Sequence, residues 1–179
     1  MMLSLSRSGA PPTAVADRED AITRLYQEQW APMVRLALLM LGDRPSAEDA
    51  TQEAFTAVYR RWDKVKDHTR IEAYLRSAVL NTSRSVLRRR KLTLLHRPPS
   101  DPPVWSAESQ ALLGEERRSV LAALATLPTR RREVLVMRFY LHLSDVDIAQ
   151  TLGISEVSVR STASRALRSL GTKLQEEDR

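Results

Sequence analysis

The chain has no cysteine and only three histidines among its 179 residues. Without cysteine there is no disulfide scaffold, no thiolate metal site and no cysteine nucleophile, and the composition suits a reducing compartment. His68, His96 and His142 are scattered, none at metal-ligand spacing from another, and read as surface residues. Glycine is scarce at five residues, which beside abundant Leu, Ala and Arg favours helix over sheet. Long apolar runs are also missing. The strongest, LALLMLG at Leu36 to Gly42, falls far below the roughly 20 residues that span a bilayer. The N-terminal MMLSLSRSGAPPTAVADRED lacks the sustained apolar core of a signal peptide. No metal-binding carboxylate cluster and no activated nucleophile stands out. The expectation is therefore a cytoplasmic, all-α protein with no membrane partner, no cofactor and no enzymatic activity.

What is present is positive charge. Lys and Arg outnumber Asp and Glu by 28 to 22, for a formal net charge of +6 and a pI near 10.1. That balance suits a polyanionic partner such as nucleic acid, although a merely soluble basic protein has it too, so position has to decide.

Composition divides the chain into two helical blocks. Residues 1–18, rich in Ser, Pro and Ala, read as a flexible tail. From Asp20, Ile22, Leu25, Tyr26, Met33, Leu36, Ala37 and Met40 recur at helical spacing, with Pro32 near an expected bend and Gly42 as terminator. Ser46 is placed to cap a helix over AEDATQEAFTAVYRRW, with Glu48 and Asp49 in its first turn. After a polar loop, a third helix runs from about Arg70 through IEAYLRSAVLNTSRSVLRRRK. The segment LHRPPSDPPVWSAES carries four prolines and reads as a linker. The expected divisions are 1–18 tail, 19–93 first domain, 94–108 linker, 109–173 second domain and 174–179 tail.

In the second block, Ala123, Leu124 and Leu127 close one helix before Pro128, and TRRREVLVMRFYLHL supplies another. The stretch DVDIAQTLGISEVSVRSTASRAL, Asp145 to Leu167, then has the layout of a helix-turn-helix. Ile148, Ala149 and Leu152 face inward, Ala149 allows close approach, and Gly153 permits a left-handed turn. Ser155 caps a second helix that Ile154 and Val159 anchor. An ordinary helical hairpin shares some of these positions; the arginines favour the DNA-reading alternative. Arg160, Ser161, Ser164, Arg165 and Arg168 fall near one exposed arc, where Arg can bond guanine edges or phosphates and Ser backbone oxygens. Glu156 and Ser158 also stand where base edges are reachable, although Glu156 equally suits the helix N-terminus electrostatically.

The first block carries what a simple regulator would not need. Asp49, Gln52 and Glu53 share a helix face, either as a solvated acidic turn or as a docking face for a basic protein partner. Asn81 lies on a helix that ends in Arg84, Arg88, Arg89, Arg90 and Lys91, either a solvated end that complements the helix dipole or a second nucleic-acid contact. Trp62 and Tyr74 flank the loop leading there. Core is the better reading for Trp62, with stacking on an unpaired base the other.

The order AEDATQEAFTAVYRRW, AYLRSAVLNTSRSVLRRRK, a Pro-rich linker and LPTRRREVLVMRFYLHLSDVDIAQTLGISEVSVRSTASRALRSL resembles bacterial RNA polymerase sigma factors of the sigma-70 superfamily. Within it, the chain is similar to the small two-domain extracytoplasmic-function (ECF) group over residues 20–172. The resemblance implies two helical domains: region 2, which binds core polymerase and opens the −10 element, and region 4, which reads −35. It places Asp49, Gln52 and Glu53 on the clamp helices of the β′ subunit. It places Asn81, Arg84 and Arg88, with the loop at 63–70, on the −10 element, where family members capture an unstacked base. Arg160, Ser161, Ser164 and Arg165 would read −35 as duplex, while the other side of that domain meets the β flap. An anti-sigma factor is a candidate partner. Tyr74-Leu75 stands where the family often has Trp-Leu. Two other classes compete: a stand-alone helix-turn-helix regulator that binds duplex DNA without polymerase, and a DNA-acting enzyme, for which no catalytic group is visible. The sigma reading expects weak DNA binding by the free chain, because two domains on a linker are not held at promoter spacing.

Overall fold

A computed structural model describes residues 14–95 and 115–177. All regular structure among them is helical: α1 (Ala14–Leu41), α2 (Arg44–Arg61), α3 (Ile71–Leu95), α4 (Glu115–Thr126), α5 (Thr129–Leu135), α6 (Asp145–Leu152) and α7 (Glu156–Glu177). The expected linker lies outside the described residues except for its first two positions, which end α3.

α1, α2 and α3 pack on one another. α2 offers Ala47, Ala50 and Ala54, all buried and three to four residues apart, so one helix face is stripped to methyl groups. Larger side chains from its neighbours fill the space: Leu36 and Met40 of α1, Leu75, Val79 and Leu80 of α3. Buried Thr51 satisfies its hydroxyl by donating to the Ala47 carbonyl at 2.8 Å. Gly42 ends α1 with a φ of 84° and donates its N–H to the Leu38 carbonyl at 2.8 Å.

Three sequence expectations shift. α2 is capped by Asp43, whose carboxylate accepts the Ser46 N–H at 2.9 Å, so Ser46 lies inside the first turn and is not the cap. Pro45 explains the earlier start, because proline suits the first turn, where its missing N–H leaves nothing unbonded. α1 begins at Ala14, which makes residues 14–18 helix and not tail. Arg18 there bonds the Asp63 carboxylate at 3.0 Å and the Tyr59 carbonyl at 3.1 Å, and lies over the Tyr59 ring. α7 continues to Glu177, so the C-terminal tail expected from 174 is helical through that residue.

In the second block, α7 packs against α4, α5 and α6 through Val159, Ala163 and Ala166, all fully buried. α5 widens at its end into a π-type turn over Val136–Tyr140, closed by the Leu141 N–H on the Val136 carbonyl. Its Met137 is buried, whereas Phe139 points outward.

The two blocks do not stand apart. Their buried side chains form one continuous cluster, with α1 against α4 and α5 and α3 against α6. Arg132 is buried at the contact, and its guanidinium donates to the Met40 carbonyl across the boundary and to the Ala125 and Leu127 carbonyls within its own block. Burial lowers the pKa of this guanidinium, with the Glu133 carboxylate opposing.

Candidate nucleic-acid and partner interfaces

The acidic face is exposed as a unit: Asp49, Gln52 and Glu53 all stand out from α2. The opposite side of that helix is buried by its alanines, so the carboxylates have nowhere to turn but solvent. Beside them Tyr26, Trp30 and Phe55 form an aromatic cluster, with Tyr26 and Trp30 stacked at 5.0 Å.

The loop between α2 and α3 is two short 3₁₀ turns, Trp62–Lys64 and His68–Arg70. Trp62 is buried, as expected of a core residue, and its ring lies 4.8 Å from that of His68. Asp67 accepts both the Thr69 hydroxyl at 2.5 Å and the Thr69 N–H at 3.0 Å. Those bonds hold its carboxyl below the usual range, the hydroxyl contributing most. Arg18, Arg24, Trp62, Asp63, His68 and Glu72 line an open cleft of about 570 Å³ here. Tyr74 is half exposed on α3.

On α3, Asn81 and Arg88 are exposed, and Asn81 accepts from the Arg84 guanidinium at 2.7 Å. Arg84 itself is engaged elsewhere, its Nε donating to the Glu133 carboxylate of α5. Arg90, counted with the exposed basic end, turns inward instead. It donates to the Leu41 carbonyl at 2.8 Å and to the Asp43 carboxylate and Ser46 hydroxyl at 2.6 Å each. Burial alone would raise the Asp43 carboxyl. The bonds from the Ser46 N–H and hydroxyl and from Arg90, with the Arg90 charge, outweigh it and lower the pKa.

The helix-turn-helix takes the expected form. Ser144 caps α6, Ile148, Ala149 and Leu152 are buried, and Gly153 adopts φ 63° and ψ 40°. Ser155 accepts the Ser158 N–H at 3.2 Å at the start of α7. The buried stripe of α7 leaves Ser158, Arg160, Ser164, Arg165 and Arg168 exposed and Ser161 half-buried. Arg160 lies 3.6 Å from Glu156 and 3.9 Å from Asp145, long exposed pairs that a phosphate can displace. Arg165 donates to the Ser161 hydroxyl at 3.1 Å, so these two form one polar unit.

Glu133, Arg132 and the bonds across the boundary were not read from the sequence. TRRREVL carries three adjacent arginines, and nothing local tells the buried one from its exposed and half-buried neighbours.

A helix-turn-helix with a basic outer face, beside a helical block with an acidic face and a basic helix, is the layout of a DNA-binding protein. The Sigma-70 region 2 family matches residues 25–93, and the Sigma-70, region 4 family matches residues 117–170. The RNA polymerase sigma-E factor of Streptomyces avermitilis is 32% identical over 146 residues, covering 82% of this chain and 80% of that protein. The ECF RNA polymerase sigma factor SigL of Mycobacterium tuberculosis is 31% identical over 170 residues, covering 92% and 95%. In fold, the chain is similar to the sigma factor RpoE of Bartonella quintana, solved in complex with the anti-sigma factor NepR (TM-score 0.67, 20% identity, 90% and 99% covered). It is also similar to CnrH in complex with the cytosolic domain of CnrY (TM-score 0.65, 22% identity, 88% and 90% covered). The chain belongs to the ECF sigma factors of the sigma-70 superfamily and is a promoter-specificity subunit of RNA polymerase.

Proposed function

We propose that three surfaces of this sigma factor divide its work. Asp49, Gln52 and Glu53 dock the clamp helices of the β′ subunit of core RNA polymerase. Asn81, Arg84 and Arg88, with the loop at 63–70, bind the −10 element. Arg160, Ser161, Ser164 and Arg165 read the −35 duplex, while the far side of that block meets the β flap. The observation that carries this reading is the segregation of charge: an exposed acidic triplet on α2, and exposed basic side chains on α3 and α7. Carboxylates repel phosphates, so the α2 face suits a basic protein surface and the other two suit DNA.

The open cleft beside the 63–70 loop supports a role in strand opening, because capturing an unstacked base there offsets the few kcal/mol that unstacking costs. The sigma factor supplies recognition inside the cell, and polymerase supplies the chemistry. No described helix is long and apolar enough to cross a membrane. The complex of the similarly folded RpoE with the anti-sigma factor NepR supports an anti-sigma protein as a further partner.

Charge reversal tests the division. Asp49→Lys with Glu53→Lys is expected to abolish co-purification with core polymerase while the helical circular dichroism and melting temperature stay close to the parent's. Unchanged holoenzyme formation removes the docking assignment. Arg160→Ala with Arg165→Ala is expected to weaken −35 duplex binding and to spare core binding. Equal loss of both would contradict the split between surfaces.

A further inference from the structure

α7 turns Val159, Ala163 and Ala166 into the second block, where all three are fully buried. Val157 stands on the opposite side of the helix. It is 66% exposed, more than any other large hydrophobic side chain among the described residues. Ser161, Ser164 and Arg168 follow it after four, seven and eleven residues, so helical periodicity puts Val157 in line with the outer face assigned above to the −35 duplex. The residues that follow on that line are polar, so Val157 is not the start of an apolar stripe.

Neither the helix nor the core accounts for a valine at this place. Valine is a poorer helix former than alanine, because its branched Cβ loses rotamer freedom against the preceding turn, and here it recovers little by packing. Its exposure also leaves apolar surface in water. A DNA duplex offers a partner of the same kind. Among the base edges of the major groove the apolar group is the C5-methyl of thymine, set beside donors and acceptors that suit Arg160, Ser161 and Arg165. The first turn of a recognition helix is the part that reaches base edges, and Val157 is the second residue of α7.

We propose that Val157 is a specificity-determining residue of this sigma factor: its side chain packs on the methyl group of a thymine in the −35 element and selects thymine at that base pair. The inference rests on the assignment of α7 to the −35 duplex made above. Cytosine presents an amino group and no methyl in the same groove, so the contact disfavours it. The stiff χ1 of a β-branched side chain holds the two valine methyls in one direction, which suits the reading of a single fixed group.

The test uses holoenzyme, assembled from the full chain and bacterial core polymerase, on a promoter duplex taken from its own transcript starts on genomic DNA. Each −35 thymine, on either strand, is replaced in turn by deoxyuridine, which removes the methyl and leaves every hydrogen-bonding group in place. At one position the parent's affinity is expected to fall about fourfold, the factor supplied by withdrawing one methyl-sized group from an apolar contact. Val157→Ala is expected to bind the thymine duplex more weakly than the parent and to be indifferent to deoxyuridine at that position. Val157→Ile is expected to keep the sensitivity. Because Val157 is exposed, the melting temperature of the alanine variant should match the parent's. A parent indifferent to the methyl at every −35 thymine would overturn the proposal, as would a −35 element without thymine or an alanine variant as sensitive as the parent. The underlying assignment fails separately: holoenzyme carrying Arg160→Ala with Arg165→Ala that binds the −35 duplex as well as the parent removes α7 from that element, whatever the methyl scan gives.

Discussion

Asp43 shows how one side chain joins two elements. It accepts the Ser46 N–H as the cap of α2 and receives Arg90 from the far end of α3, so the start of one helix is tied to the end of another. Replacing Asp43 with Ala is expected to cost about 1 kcal/mol at neutral pH, the usual worth of a cap. The pH dependence has a definite sign. The folded carboxyl titrates below its ordinary value of 3.8, so its stabilisation is present above that value and is lost as pH falls through the folded pKa. The melting-temperature gap between parent and Asp43→Ala should therefore hold from pH 7 to pH 5 and narrow below about pH 4. A gap that widened in acid would mean that Asp43 is not held ionised by these partners. The sequence marks Ser46 as the cap, but Pro45, whose preference for the first turn starts the helix earlier, leaves that place to Asp43.

The helix-turn-helix was the most legible element because its rules are local. A small Ala149, a glycine at the turn and an apolar Val159 are each demanded by close helix approach, a positive φ and burial, all within a few residues of one another. Gly153 isolates one of these demands. A Cβ there would meet nothing within 4 Å, so Gly153→Ala tests the left-handed backbone without a steric clash. The expected cost is about 1 kcal/mol, with a smaller loss for Gly153→Asn, since asparagine tolerates that conformation better. Thermal melting checks it, and an alanine variant as stable as the parent would contradict the strain. The start of α1 was less legible, because Arg18 is held by Asp63 and Tyr59, more than forty residues away, and no local pattern signals such a partner. The same holds for Arg90, which sits in a run of like charges yet alone turns inward. Of the proposed site, the acidic triplet and the outer arc of α7 were read from spacing alone, since helical periodicity determines which residues share a face.

The whole molecule differs most from what its sequence suggests. A proline-rich segment between two helical blocks reads as a tether between independent domains, but the blocks share a continuous buried cluster and cross-boundary arginine contacts. Contacts between residues 49 and 92 positions apart, such as Arg84 with Glu133 and Arg132 with Met40, leave no trace in local composition. The family matches cover each block separately and carry no information on how the two meet. The central claim, that this chain directs RNA polymerase to promoters, is tested most directly by mixing the purified protein with bacterial core polymerase, fractionating the mixture, and mapping transcript starts on genomic DNA. The expected result is co-elution and a new set of starts that core alone ignores, sharing aligned −35 and −10 sequences. Failure to co-elute and absence of new starts, together with tight duplex binding by the free protein, would contradict it.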